Sequence, residues 1–403
     1  MAMLVKKAGK ESIKYINKQN ILSTFWNREE VAKAEVIAAT HLSAATVSTL
    51  MQELVEEGFL QERRIGESSG GRRPVMYTLN QSMAYVLTLQ VTTKGVLMGV
   101  VNLSGKVIDR KMRFSLLHGE QAVQEAVEQA IRDFLALHPE KAEKTQAVAI
   151  SVPGVVDYAA CRLTYSAALF AENLDLQAAV QQAFAGFAEQ PEVYVFKDTD
   201  ALALGELACD PQGEENMAYI LCENGVGLSV VHRNDLFFGD RCGMELGHTT
   251  VDFDGETCKC GARGCLGILI GEQPAIKRYT EIYEQQKGEW TSNPMFLKYE
   301  DIVELYLAQD SIARRVIDEQ LDILTVAMIN VVNLFNPDWL IVGGPLARLP
   351  EIEETVACRV KEKGLKPFTE KLRITSSKIG AEAALLGMAN YVLRREIFQS
   401  VRF

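Results

Sequence analysis

No stretch of this chain reaches the roughly 18 consecutive apolar residues that a membrane-spanning helix requires, so helical membrane insertion is not expected. The opening residues, MAMLVKKAGKESIKYINKQN, are basic but no apolar run follows them. That pattern is not a secretory leader and points to the cytoplasm. Short-period repeats and low-complexity tracts are missing too, which argues against a solenoid or a linker-rich chain. Eight cysteines in 403 residues are too sparse for a disulfide framework. Cys161, Cys209, Cys222 and Cys358 are expected to be small buried apolar residues.

Positive charge is also in short supply, with 42 Lys+Arg against 53 Asp+Glu. The deficit is uneven. Residues 1–80 hold 11 basic and 9 acidic side chains, so the rest of the chain carries a net −13. An acidic body repels nucleic acid, and any contact with DNA should come through the head.

That head has a definite order. Ile13, Ile16, Ile21, Leu22 and Phe25 predict a first amphipathic helix, and a short second helix spans about Glu29 to Ala39. The third starts at Ser43, a good N-cap, and runs to Gly58 with Val47, Leu50, Met51, Leu54 and Val55 on one stripe. This spacing is that of a helix-turn-helix. It leaves Ser43, Ala44, Ala45, Thr46, Ser48, Thr49 and Gln52 near the helix start, where a recognition helix meets base edges. His41 occupies the turn position where glycine is usual, so a left-handed histidine is expected there. Two strand-like ends, Phe59 to Ile65 and Val75 to Leu79, flank a loop rich in Gly, Ser and Arg, giving a winged helix-turn-helix. Arg72 and Arg73 in that loop are candidates for the minor groove, the plain alternative being a solvated hairpin.

Strands at Tyr85 to Val91, Gly95 to Val101 and Lys106 to Arg113 are followed by a helix from Glu120 to Leu137 and a strand from Ala147 to Val152. A second round of strands near 217–239, a long helical region at 311–335 and a strand at Trp339 to Val342 suggest two α/β lobes around a ligand cleft. Between Gly247 and Cys265 the chain places His248, Cys258, Cys260 and Cys265 within nineteen residues. One imidazole and three thiols at this spacing suit a metal that activates water, holds a finger on DNA or clasps a loop.

The head, SVPGVVD at 151–157, KDTDALALGE at 197–206, and ELGH followed by CKCGARGC together resemble the ROK family, which unites bacterial sugar-responsive repressors with sugar kinases. The resemblance implies a duplicated actin-like, ribonuclease-H-like α/β fold behind an N-terminal winged helix-turn-helix. It implies domains at 1–80, at 81–197 completed by a C-terminal helix in 381–403, and at 198–380 with the metal site and oligomerisation helices. Its zinc site falls on His248, Cys258, Cys260 and Cys265, a closed tetrahedral set that leaves no open position for catalysis. Cys242 is a rival ligand by proximity.

The family's catalytic base matches Asp198, and its sugar-binding Glu and His match Glu245 and His248. Departures are informative. In the kinase phosphate loop Gln90 replaces an Asp, and Thr92 and Thr93 replace glycines; in a second loop, ENGVGLS, Glu223 opens the segment and only Gly225 and Gly227 persist. ATP turnover is therefore not expected. Lys197 stands for the usual Asn, Gly267 for a sugar-binding Glu, and SAALFAENLDL at 166–176 lacks a further sugar contact. Lys197 suits an anionic effector such as a sugar phosphate, whereas helix capping by Asp198 is the purely structural alternative. The expectation is a repressor of carbohydrate-utilisation genes, a homodimer or homotetramer bound to double-stranded operator DNA and controlled by a sugar or sugar phosphate. A kinase with an appended head, and a regulator controlled by a protein partner, are the rivals.

Overall fold

The computed structural model describes residues 10–63, 75–209, 216–237, 243–287, 297–350 and 352–398. It divides into two compact units, residues 1–198 with 382–403, and residues 199–381.

The first unit opens with α1 (Lys10–Ser23), β1 (Val31–Ala32), α2 (Lys33–Thr40), α3 (Ala44–Glu56), β2 (Leu60–Arg63) and β3 (Met76–Leu79). Ile21, Leu22, Phe25, Val36, Val47, Leu50, Met51 and Leu54 form the buried centre of this head. Two readings of the sequence need correction. Ile13 and Ile16 face out, 62% and 39% exposed, and the buried positions on that helix include Lys18 and Gln19. Hydrophobicity alone misassigned the inner face because these polar residues have partners. The second helix starts at Lys33, since Val31 and Ala32 pair with β3 across Tyr77 and Met76 and become sheet. The β2–β3 hairpin is antiparallel, Leu60 facing Leu79. Residues 64–74, with Arg72 and Arg73, lie outside the described residues.

Behind the head come β4 (Tyr85–Thr92), β5 (Gly95–Asn102), β6 (Val107–Phe114), α4 (Glu120–Leu137), α5 (Pro139–Ala142), β7 (Thr145–Val152), β8 (Val155–Asp157), β9 (Arg162–Ser166), β10 (Ala171–Asp175), α6 (Leu176–Ala183) and β11 (Glu192–Lys197). The main sheet has the order β11-β7-β4-β5-β6. Strands β4, β5 and β6 form an antiparallel meander, and β7 and β11 run parallel to β4. Central strands are apolar on both faces, as a sheet covered on both sides requires. Leu87, Leu89, Val148 and Ile150 pack with Val127, Ile131 and Phe134 of α4 on one face. Edge strand β6 instead alternates and exposes Arg110, Lys111 and Arg113, charges that discourage edge pairing.

The chain then continues through α7 (Asp198–Cys209), β12 (Met217–Cys222), β13 (Val226–His232), β14 (Asp235–Phe237), α8 (Glu272–Lys287), α9 (Tyr299–Leu307), α10 (Ser311–Phe335), β15 (Trp339–Gly343), α11 (Ile352–Lys363), α12 (Lys366–Thr369), β16 (Arg373–Ser376) and α13 (Ala381–Glu396). The second sheet, β14-β13-β12-β15-β16, repeats the plan of the first: a three-stranded antiparallel meander followed by two strands parallel to its first member. The architecture is thus a duplicated α/β fold behind a helix-turn-helix head. Helix α10 lies in the core of the second unit through Val316, Leu321, Leu324, Met328 and Val332, while Val326 and Leu334 point outward. Among the described residues no helix is long and apolar enough to cross a membrane.

The cysteine expectation holds for Cys222 only. Cys161 is half-buried, and Cys209 and Cys358 are exposed. On α11 the inward positions are Ile352, Val356 and Val360, which leaves Cys358 on the outer face of that helix.

Candidate functional site

The third helix of the head, α3, is set by local chemistry. Ser43 caps α3, its hydroxyl accepting from the Thr46 amide at 3.1 Å. His41 closes α2 in the left-handed region at φ 55, its amide donating to the Ile37 carbonyl. With Val47, Leu50, Met51 and Leu54 inward, Ala44, Ala45, Thr49 and Gln52 are exposed and Thr46 and Ser48 half-buried. The outer face therefore carries small side chains and one amide, Gln52, which donates to Glu56 at 3.1 Å.

Sequence patterning missed what holds this helix. Lys18, 5% exposed, reaches Glu53 at 2.8 Å and Glu57 at 2.5 Å. Burial pulls the ammonium pKa down, but both carboxylate hydrogen bonds outweigh it and the net direction is up. Hydrogen bonds from Lys14 and Lys18 hold the Glu53 carboxyl below its ordinary value. The only hint in the sequence is a Lys-Gln pair where the helical stripe calls for apolar residues.

In the second unit, His248, Cys258, Cys260 and Cys265 come together with their ligand atoms all within 4.8 Å of one another. Cys258 and Cys260 lie on a tight turn in which the Gly261 amide donates to the Cys258 carbonyl and the Cys258 amide to the Ala262 carbonyl. The chain returns through Gly264, at φ +58, where an added Cβ would sit 1.5 Å from the Asp252 carbonyl oxygen. Only glycine fits there. A bridge between Thr250 and Cys265 then places Cys265 beside His248. The Cys260–Cys265 sulfur separation is 3.6 Å, and the Cys258 sulfur lies 3.7 Å from His248 Nδ1. An ion about 2.3 Å from each sulfur gives tetrahedral edges of about 3.8 Å, so the donor set fits. The Ala262 backbone and then the neighbouring thiols draw the Cys260 pKa down to about 7, whereas burial and the same neighbours raise Cys265 to about 12. Cys242 lies outside the described residues.

Glu245 and His248 bracket a short 3-10 turn in which the His248 amide donates to the Glu245 carbonyl at 3.0 Å. Gly247 is pressed on the Val226 carbonyl, 2.6 Å from where its Cβ would be. At Gly267 an added Cβ would lie 3.1 Å from the Gly247 oxygen, so a side chain there would start beside the Glu245–His248 turn. Lys197 is buried at the end of β11 and Asp198, half-buried, opens α7 at the border of the first unit.

The two turns aligned by sequence with kinase phosphate loops each have one amide engaged within the turn. Thr92 Oγ1 accepts from the Lys94 amide and donates to the Gly95 carbonyl, each at 3.2 Å. The Glu223 amide donates to the Gly225 carbonyl at 3.0 Å. Thr92 thus engages the Lys94 amide with its own hydroxyl. Gln90 pairs with Ser151 on the neighbouring strand, and Thr93 sits in the turn.

Residues 90–395 match the ROK family model. The chain belongs to the ROK family. It is 25% identical over 400 residues to the xylose repressor of Caldicellulosiruptor bescii, with 94% of this chain and 96% of the relative covered. It is 22% identical over 381 residues to the DNA-binding transcriptional dual regulator NagC of Escherichia coli, covering 93% and 91%. A crystal structure of a ROK family transcriptional regulator, described as a homologue of the Escherichia coli MLC protein, superposes with a TM-score of 0.81 at 22% identity, over 96% of this chain and all of that one.

Proposed function

We propose that this ROK chain is a cytoplasmic, DNA-binding repressor of carbohydrate-utilisation genes controlled by a sugar or sugar derivative. The observation that carries the reading is the head: a capped α3 presents small exposed side chains beside a hairpin wing, on a body where the Lys94 and Glu223 amides are engaged by Thr92 and Gly225. Ser43, Ala44, Ala45, Thr46, Ser48, Thr49 and Gln52 read bases in the major groove, and Arg72 and Arg73 reach the minor groove. Residues 1–80 act as the DNA-binding domain, 81–197 with the C-terminal helix as the first lobe and 198–380 as the second.

Asp198, Glu245 and His248 bind the hydroxyls of the effector, and Lys197 favours an anionic one. Zinc on His248, Cys258, Cys260 and Cys265 is structural: it clasps the loop that carries Glu245. All four coordination positions are filled by protein, which leaves none for substrate. A homodimer or homotetramer places two heads on two half-sites, and outward Val326 and Leu334 of α10 suit such an interface. Effector binding then shifts the population of DNA-competent molecules, and DNA weakens effector binding by the same factor.

The test is selection of bound sequences from random double-stranded DNA at stated salt, followed by release with sugars and sugar phosphates. Xylose comes first, being the sugar in a relative's name. Failure to enrich any sequence overturns the reading, as does ATP-dependent phosphorylation of a sugar by the pure chain.

A further inference from the structure

Helix α13 lies between the first sheet and the head. On the sheet side, Leu385 packs 2.8 Å from where a Cβ on Gly99 would stand, and Tyr391 meets Phe196 of β11 edge-on at 5.5 Å. On the head side, Trp26 packs on Phe398 at 4.8 Å between ring centroids, and Ser23 donates to the Phe398 carbonyl. One residue serves both sides. The Glu396 carboxylate accepts from the Tyr194 hydroxyl of β11, and the Glu396 carbonyl lies 3.4 Å from both Tyr15 Oη and Gln19 Nε2 of α1.

From α1 the connection continues. Gln19 also donates to the Tyr15 hydroxyl at 3.0 Å, and the adjacent Lys18 holds Glu53 and Glu57 on α3 and just beyond it. The other end of the connection is equally placed. Tyr194 stands three residues before Lys197, where β11 ends, and the chain passes between the two units at Asp198–Thr199 and again at Ala381–Glu382, where α13 begins. Both crossings lead into elements that meet at Tyr194 and Glu396.

We propose that Tyr194 and Glu396 are positioning residues that set the pose of the recognition helix from the end of β11, through α13, Tyr15, Gln19 and Lys18. The inference rests on the reading of the head as a DNA-binding module and names how it is regulated. The strong link is Tyr194 to the carboxylate, a charge-assisted bond, and burial keeps the Tyr194 proton in place by raising its pKa far above the ordinary range. The head-side links at 3.4 Å are at the long limit of a hydrogen bond, so a small shift of α13 breaks or tightens them. A displacement of β11 or α13 caused by ligand is thereby delivered to the head as a change in how firmly α1 is held.

The experiment uses the full chain and three variants, Tyr194→Phe, Glu396→Ala and Glu396→Gln. Backbone hydrogen exchange in α1 and α3 and affinity for the selected DNA are compared at one salt concentration. Tyr194→Phe and Glu396→Ala are expected to speed exchange in α1 and α3 by about threefold or more, with DNA affinity changed by a similar factor and rates in α8 and α10 unmoved. Glu396→Gln keeps an acceptor for the Tyr194 hydroxyl and restores values near those of the parent. Parent-like exchange in α1 and α3 of Tyr194→Phe overturns the proposal, and so does an equal rise in α8 and α10, which marks general loss of stability. If the parent selects no DNA, the functional reading fails while hydrogen exchange still decides the coupling. Should Tyr194→Phe not fold, Tyr15→Phe cuts the head-side bond to the Glu396 carbonyl, the next link of the same connection, and is judged by the same measure.

Discussion

Lys18 and Glu53 join α1 to α3 through a contact of 2.8 Å that leaves the lysine side chain 6% exposed. A buried ammonium needs such partners, because removing one leaves an uncompensated charge. The pair explains why a lysine occupies the inner face of α1 and gives the head a dependence on pH.

Hydrogen bonds from Lys14 and Lys18 lower the Glu53 pKa from its ordinary 4.5. A depressed carboxylate contributes stability that is fully present above its unfolded value and is lost as pH falls through the folded one. Comparing thermal unfolding of the parent with Glu53→Gln, the parent should be more stable near neutral pH, and the two should converge only below about pH 4.5. A gap that persists unchanged into acid would count against the pairing.

Gln52, in the second half of α3, is its exposed amide, and its bond to Glu56 is solvent-accessible and easily exchanged. Glutamine pairs with adenine through N6 and N7 in the major groove, and such a contact is worth about 1–3 kcal/mol of discrimination. Gln52→Ala should relax preference at one A·T position of the selected DNA, measured by competition binding. Equal preference at every position in parent and variant would remove Gln52 from base reading.

One zinc per chain is expected by metal analysis of the purified protein, and Cys265→Ser should lower both zinc content and thermal stability. Chelation should reproduce the stability loss in the parent and add little in the variant. Parent protein with less than roughly half a zinc per chain would remove the metal assignment.

His41 holds φ 55, a conformation disfavoured for a residue with a Cβ. His41→Gly relieves that strain against a larger unfolded-state entropy, so the head should gain up to about 1 kcal/mol or stay unchanged. His41→Val should destabilise it clearly, as denaturant titration will report. Destabilisation by glycine as large as that by valine would mean that the imidazole itself supports the turn.

Much of this was legible in the chain because the signals are local. Helix α4 is observed over Glu120–Leu137 as its periodicity requires, Ser43 caps the third helix, and His248 with Cys258, Cys260 and Cys265 announces a metal set by spacing. Such features depend on neighbours a few residues away, which a sequence displays directly. The candidate ligand residues needed more. Lys197 and Asp198 were found by likeness to a motif, and their geometry belongs to the end of β11, a strand paired with β7 some forty-five residues earlier.

Composition, periodicity and spacing by themselves pointed to the α/β class, the helix-turn-helix order and a cluster of one His and several Cys able to hold a metal. Tertiary structure alone decided which face of α1 is buried, because Lys18 is tolerated inside only when Glu53 and Glu57, more than thirty residues away, meet it. It alone decided that Glu396 joins Tyr194 to Tyr15 and Gln19, contacts between residues separated by 202, 381 and 377 positions. Side-chain identity states what a group can bond to; only the folded chain brings that partner within reach.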